Sequence, residues 1–227
     1  MVRPLQDHEA ALREGSAVLL SLFYEKLTYS TVAQTFSTES DCVVANIDAD
    51  AAPNKPLAEK YGVTGYPTLK FFPKGSSEPV AYSGGRTEAD FVEFLNEQCG
   101  THRAVGGGLN EQAGRFAQLD TLASRFFSST ADARSTVYEE ALALAKTLGV
   151  GANPYIKVME KVVNGSDSYF AKETKRLTSI LTKKALAPAK LDELKRKANV
   201  LAAFAAQKVE DVKEEAENVA ERVKEEL

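Results

Sequence analysis

The stretch Val63-Thr64-Gly65-Tyr66-Pro67-Thr68-Leu69-Lys70-Phe71-Phe72 constrains the fold more than any other. A helical pattern stops at Gly62, a turn follows, and a Tyr66-Pro67 bond leads directly into an apolar run. X-Pro is the one peptide bond whose cis form is readily accessible. Pro67 stands at the start of the run, where a sheet tolerates a missing N–H. The spacing therefore predicts a cis-proline turn that opens a buried strand.

The neighbours of this stretch read in order. Pro73-Lys74-Gly75 is a hairpin turn and Val80-Ala81-Tyr82 a short strand. A helix runs from Thr87, its cap, to Gln98, with Asp90 completing a capping box and Gly100 as the stop. Upstream, Val43 to Asp48 reads as a buried strand, and Asn54 with Pro56 starts a helix that carries Leu57, Ala58 and Tyr61 inward. Ser16 to Phe23 reads as a central strand, and Tyr24-Glu25-Lys26-Leu27 opens a helix that reaches Phe36. Leu5 to Arg13 is a weaker helical pattern ahead of Gly15.

Beyond residue 101 the pattern changes. Gly106-Gly107-Gly108 marks residues 102–110 as a flexible linker. Apolar residues then recur at helical spacing, first at Ala113, Phe116, Ala117, Leu122, Ala123, Phe126 and Phe127. Thr130 caps a second helix carrying Val137, Ala141, Leu144 and Leu148, ended by Gly149. Asn153-Pro154 starts a third with Tyr155, Val158, Met159 and Val162, stopped at Asn164-Gly165. A fourth carries Phe170, Leu177, Ile180 and Leu181. A fifth starts at Pro188 and carries Leu191, Leu194, Ala198, Leu201, Ala202 and Phe204. Five helices with no strand between them predict an all-α bundle, and residues 206–227 predict a charged helical tail.

Several function classes fall away on charge and hydropathy. A net charge of -4, with no basic cluster interleaved with aromatics, excludes a nucleic-acid surface. No apolar run approaches the roughly 20 residues that span a bilayer, so no membrane insertion is expected. The first residues turn polar and acidic at once and do not read as a signal peptide. His8 and His102 stand far from other ligand types, so neither a metal site nor a cofactor is expected. The chain has 2 cysteines, Cys42 and Cys99, and no CxxC.

The order strand, helix, cis-proline strand, strand, helix, with the wording IDADA, LAEKYGVTGYPTLKFFPKG and YSGGRTEADFVEFL, resembles the catalytic domains of protein disulfide-isomerases over residues 17 to 100. The segments Asn153 to Val162, Tyr169 to Leu181 and Lys195 to Leu201, continuing to Phe204, resemble the helical D domain of D-class disulfide-isomerases and Windbeutel-like proteins of the endoplasmic reticulum (ER). The resemblance implies an α/β thioredoxin-like domain over 1–101, a linker over 102–110, an all-α five-helix D domain over 111–205 and the tail over 206–227. In that family a strand like 17–23 leads into an aromatic-Ala-Pro-Trp-Cys-Gly-His-Cys segment. Here the strand joins Tyr24 directly, so the domain reads as truncated, without its active-site loop or a visible first strand. A natural degenerate or spliced form and a mis-joined pair of exons both fit that junction.

The resemblance also assigns sites. It makes Tyr66, Pro67 and Thr68 a client-binding loop, with the Tyr66 backbone as donor and acceptor. It places Cys42 at the entry of the central strand and Cys99 at the end of the last helix, both at the opposite pole, as structural or free cysteines whose pairing stays open. Arg86 would form a surface salt bridge. Tyr155, Met159 and Tyr169 are either part of a helical client patch or ordinary core. Asn164 heads a glycosylation sequon, Asn164-Gly165-Ser166. Lys224, Glu225, Glu226 and Leu227 resemble an address read by an ER retrieval receptor. The reading is an ER-lumen protein that assists folding by binding unfolded or partly folded polypeptides, with no catalytic dithiol. The alternative is an active isomerase whose natural product carries the CxxC segment, which leaves enzymatic status open.

Overall fold

A period of two builds the first half of the protein. In β2 (Cys42–Asp48), Val43, Ala45 and Ile47 are buried on one face of the sheet and Cys42 and Val44 on the other. β1 (Ala17–Phe23) does the same with Val18 and Leu19, and β3 (Thr68–Phe72) with Phe72 against Leu69 and Phe71. With β4 (Val80–Ala81) these strands form one sheet of order β2-β1-β3-β4. β1 runs parallel to β2 and antiparallel to β3, and β4 is antiparallel to β3. This is a computed structural model that describes residues 16–23, 29–165, 168–183 and 185–205. The expected helix at 5–13, the junction at 24–28, the tail at 206–227 with Lys224, Glu225, Glu226 and Leu227, and sequon residue Ser166 lie outside the described residues.

Helices cover both faces. α1 (Tyr29–Thr35) and α3 (Glu88–Cys99) lay Val32, Ala33, Phe91, Val92 and Leu95 over the Leu19 face, while α2 (Lys55–Lys60) covers the Val18 face with Ala58, flanked by Leu57 and Tyr61. The result is the expected α/β thioredoxin-like layering. Local chemistry sets the ends of α3. Thr87 N donates to Asp90 Oδ2 at 2.8 Å, Asp90 N donates to Thr87 Oγ1 at 3.3 Å, and Gly100 ends the helix at φ 65°. Before this cap, the chain passes Tyr82 so closely that a Cβ at Gly84 would lie 2.6 Å from the Tyr82 hydroxyl oxygen.

Residues 102–110 are not the flexible linker that their glycines predict. Arg103 and Leu109 form a bridge, Asn110 N donates to the His102 carbonyl at 2.9 Å, and Gly106 N donates to Glu88 Oε1 at 2.8 Å. Asn96 holds the turn from α3, donating to the Arg103 carbonyl at 2.8 Å and accepting from Arg103 N at 2.7 Å. The Arg103 guanidinium is buried and ion-paired with Glu39. The segment is a hairpin fastened to the first of two compact units, Met1–Asn110 and Glu111–Leu227.

The second unit holds five helices among the described residues: α4 (Ala117–Ser128), α5 (Ala131–Leu148), α6 (Asn153–Val163), α7 (Tyr169–Lys183) and α8 over 188–205. Their core is Leu119, Ala123 and Phe126, then Val137, Ala141 and Ala145, then Tyr155, Val158, Met159 and Val162, with Leu177, Leu194, Leu201 and Phe204. Ala117 and Ala202, read inward from the sequence, are exposed. Phe116 is the cap residue of α4, so the helix begins one residue later than the apolar run and its buried stripe falls on 119, 123 and 126. Tyr155 sits fully buried at the centre. Its hydroxyl donates to Asp120 and accepts from Phe116 N at 3.2 Å, and Arg115 Nε donates to the other Asp120 oxygen at 2.9 Å.

Cys42 and Cys99 form a disulfide between β2 and the last residue of α3, with a Cα–Cα distance of 5.9 Å and a sequence separation of 57. Parity explains the pairing: Cys42 lies on the face that α3 covers. Closing a loop of that length constrains the unfolded chain by about 4 kcal/mol. Reduction, or Cys42→Ala, is expected to lower the stability of the first unit by up to about that amount in urea titration. The second unit should be unchanged, since it contains no cysteine.

Burial, and then the hydrogen bond to Asp120, raise the Tyr155 phenol above its ordinary 10.0. The folded state therefore holds this proton more tightly than the unfolded one. The associated stability is complete below pH 10 and is lost as pH rises above it. Tyr155→Phe should cost about 1–3 kcal/mol at neutral pH. That gap should narrow in urea melts taken above pH 10, and a gap constant with pH would contradict the assignment.

Candidate functional site

The sheet register brings the chemistry-bearing ends together. Phe23 pairs with Asp48 and Leu22 with Thr68, so the C-terminal ends of β1 and β2 and the start of β3 meet along one edge of the fold. The Tyr66-Pro67 bond is cis, as the sequence predicts, and it delivers the chain into β3 at that edge. Thr68 Oγ1 donates to the Gly65 carbonyl at 2.6 Å and closes the turn. Tyr66 is 46% exposed. Among the described residues neither its backbone N–H nor its C=O takes part in a hydrogen bond.

A polar lip adjoins this loop. Asp48 Oδ1 accepts from the backbone N–H groups of Asp50 and Ala51 at 3.0 and 3.2 Å, and Asn54 Nδ2 donates to the Asp48 carbonyl at 2.6 Å. The folded-back loop presents an exposed ion pair between Lys55 and Asp50. The hydrogen bond from Lys55 to Asp50 is the largest influence holding this ammonium above its ordinary value. The edge thus offers an exposed aromatic ring and an unengaged amide and carbonyl on the same residue, and the loop after Asp48, at the same end of the sheet, carries a cation–anion pair. Sequence reasoning missed Asp50 and Lys55. Their signal was the Asp48-Ala49-Asp50 turn, which ties itself back through the Asp48 carboxylate.

The cysteines lie at the other pole. Cys42 starts β2 and Asp48 ends it, so the disulfide stands about 20 Å from the Tyr66 edge at strand rise. β2 neighbours only β1 among the described residues, so it is β1, not the strand bearing Cys42, that is central. No sulfur faces Pro67 among the described residues.

The remaining candidates do not join the edge. Tyr155 and Met159 are fully buried and cannot form a client patch, because both lie on the inward stripe of α6. Tyr169 is half-buried against the same core. Asn164 is exposed at the C-terminal end of α6. Arg86 is exposed, and the salt bridge expected for it is absent among the described residues. No metal-holding cluster of His, Cys, Asp or Glu occurs among the described residues, and no described helix is long and apolar enough to cross a membrane.

Known proteins match both units. Residues 26–97 match the family described as Thioredoxin, and residues 114–204 match the family described as Endoplasmic reticulum protein ERp29, C-terminal domain. The chain is 45% identical over 193 residues to Protein disulfide-isomerase erp38 of Neurospora crassa, covering 83% of this chain and 52% of that relative. It is 43% identical over 194 residues to Protein disulfide isomerase-like 2-2 of Oryza sativa subsp. japonica, covering 84% and 50%. It is 44% identical over 183 residues to Protein disulfide-isomerase tigA of Aspergillus niger, covering 81% and 49%. The chain spans about half the length of the curated relatives it matches.

Proposed function

This chain belongs to the protein disulfide-isomerase family, with a thioredoxin unit followed by an ERp29-type helical unit, and from that premise we propose that it binds unfolded or partly folded polypeptides in the ER lumen and assists their folding without a catalytic dithiol of its own. The observation that carries this reading is the Tyr66 backbone: a donor and an acceptor, side by side on an exposed edge and unengaged among the described residues. An extended polypeptide can add to such a pair as a further strand, so affinity comes from main chain and the client sequence matters little. The exposed Tyr66 ring supplies an apolar contact, and Lys55 with Asp50 adds a charged rim. Pro67 and Thr68 hold the loop in place.

The missing dithiol is a matter of sequence. Thiol–disulfide turnover needs a reactive thiolate and a nearby resolving thiol at the client-binding edge. The 2 cysteines of this chain are bonded to each other at the far pole. A structural disulfide also fits the oxidising ER lumen better than the cytosol. The Lys-Glu-Glu-Leu sequence at 224–227 fits an address read by a retrieval receptor in that compartment.

The names of the relatives favour a second reading, active thiol–disulfide isomerisation by a natural product that carries a CxxC between Phe23 and Tyr24. Peptide mapping of the natural protein across Ser16 to Leu27 separates the two.

Two readouts test the proposal on one preparation. Tyr66→Ala should weaken binding of a fluorescently labelled, permanently unfolded polypeptide by about tenfold while the protein stays folded. Insulin reduction should stay at the uncatalysed rate. Unchanged binding would refute the contribution of the Tyr66 ring to that edge, and turnover matching an intact disulfide-isomerase domain would refute the missing dithiol.

A further inference from the structure

The two cysteines of the disulfide differ in burial. Cys42 is 1% exposed, inside the cluster formed by Leu19, Phe36, Val44, Phe71 and Leu95. Cys99 is only half-buried and packs against that cluster from its rim, at the last residue of α3 beside exposed Gly100. A thiolate attacks a disulfide in line with the S–S axis, from beyond the sulfur it bonds to, and access decides which sulfur that is. Residue 99 keeps part of its surface in solvent, whereas Cys42 keeps almost none. Approach to Cys42 would have to pass through packed aliphatic and aromatic side chains.

From this asymmetry we infer that Cys99 is a thiol-exchange site, distinct from the polypeptide-binding edge, which takes up a low-molecular-weight monothiol such as glutathione as a mixed disulfide while Cys42 remains a buried thiol. The thiolate sulfur of the incoming molecule bonds to Cys99 Sγ. The Cys42–Cys99 bond breaks, and its electron pair leaves on Cys42 Sγ, which takes a proton from solvent. One disulfide is lost and one is formed, so no external oxidant is required. The adduct lasts until Cys42 recloses the bond or a second thiol removes it. The inference does not depend on polypeptide binding at Tyr66.

The test uses the full chain, folded and oxidised, at neutral pH with excess reduced glutathione. Samples are quenched in acid over time, denatured, capped with a maleimide and mapped by mass spectrometry. The first product should carry glutathione on the Cys99 peptide and maleimide on the Cys42 peptide. An adduct on Cys42, equal labelling of both, or loss of the disulfide with no Cys99 adduct at any time point would overturn the inference. A pair of variants gives a second readout where circular dichroism shows both to be folded. Glutathione disulfide should label Cys42→Ser at Cys99 at least about tenfold faster than it labels Cys99→Ser at Cys42. Equal or reversed rates would overturn it as well.

Discussion

Everything in the first unit depends on the pairing of β1 with a strand on each side. Its parallel register with β2 and antiparallel register with β3 decide what shares an end of the sheet. At one end Asp48, Phe23 and Thr68 meet, with Pro67 just before them. At the other, Cys42 starts its strand beside Ala17. A slip of one residue in β2 would turn Cys42 away from α3 and move Val43, Ala45 and Ile47 onto the wrong face. The Tyr66 edge and the Cys42–Cys99 disulfide are separated by this arrangement, at opposite ends of the sheet.

The second unit is stabilised in a different way. Its helices bury stripes of aliphatic and aromatic residues, and the aromatic rings of Phe126, Phe127, Phe170 and Phe204 meet edge to face. One polar group goes in with them. The Tyr155 hydroxyl is satisfied on both sides by Asp120 and the Phe116 amide, and Arg115 keeps Asp120 paired. A buried phenol with both partners in place specifies how α4 and α6 dock, where an all-aliphatic contact would tolerate sliding.

Much of this was legible from residues alone. The cis-proline strand, the Thr87–Asp90 capping box, the glycine stops at 100 and 149 and the Asn153-Pro154 helix start each rest on local backbone chemistry, and each is found in place. What was misread depended on contacts distant in sequence. Gly106-Gly107-Gly108 looks like a linker until Asn96 and Glu88 are seen holding it. Ala117 and Ala202 are too small for periodicity to fix their phase. For Tyr155 and Met159 the sequence left client patch and ordinary core both open, because residues at helical spacing do not reveal which face meets water, and both lie in the core. The cysteine pairing needed the parity of β2 together with the position of α3. At the candidate edge, the cis-proline turn of Tyr66, Pro67 and Thr68 was readable, whereas the Asp50–Lys55 pair came into view only with the folded 48–54 loop.

In the proposed reading, this chain holds a polypeptide at the Tyr66 edge without a dithiol of its own. The most direct measurement is amide hydrogen exchange with and without a saturating unfolded polypeptide. The account predicts that the Tyr66 amide, and the peptide spanning 63–69, gain protection on binding while the helices of the second unit do not change. Unchanged exchange at Tyr66, with protection appearing over 169–183 instead, would contradict it.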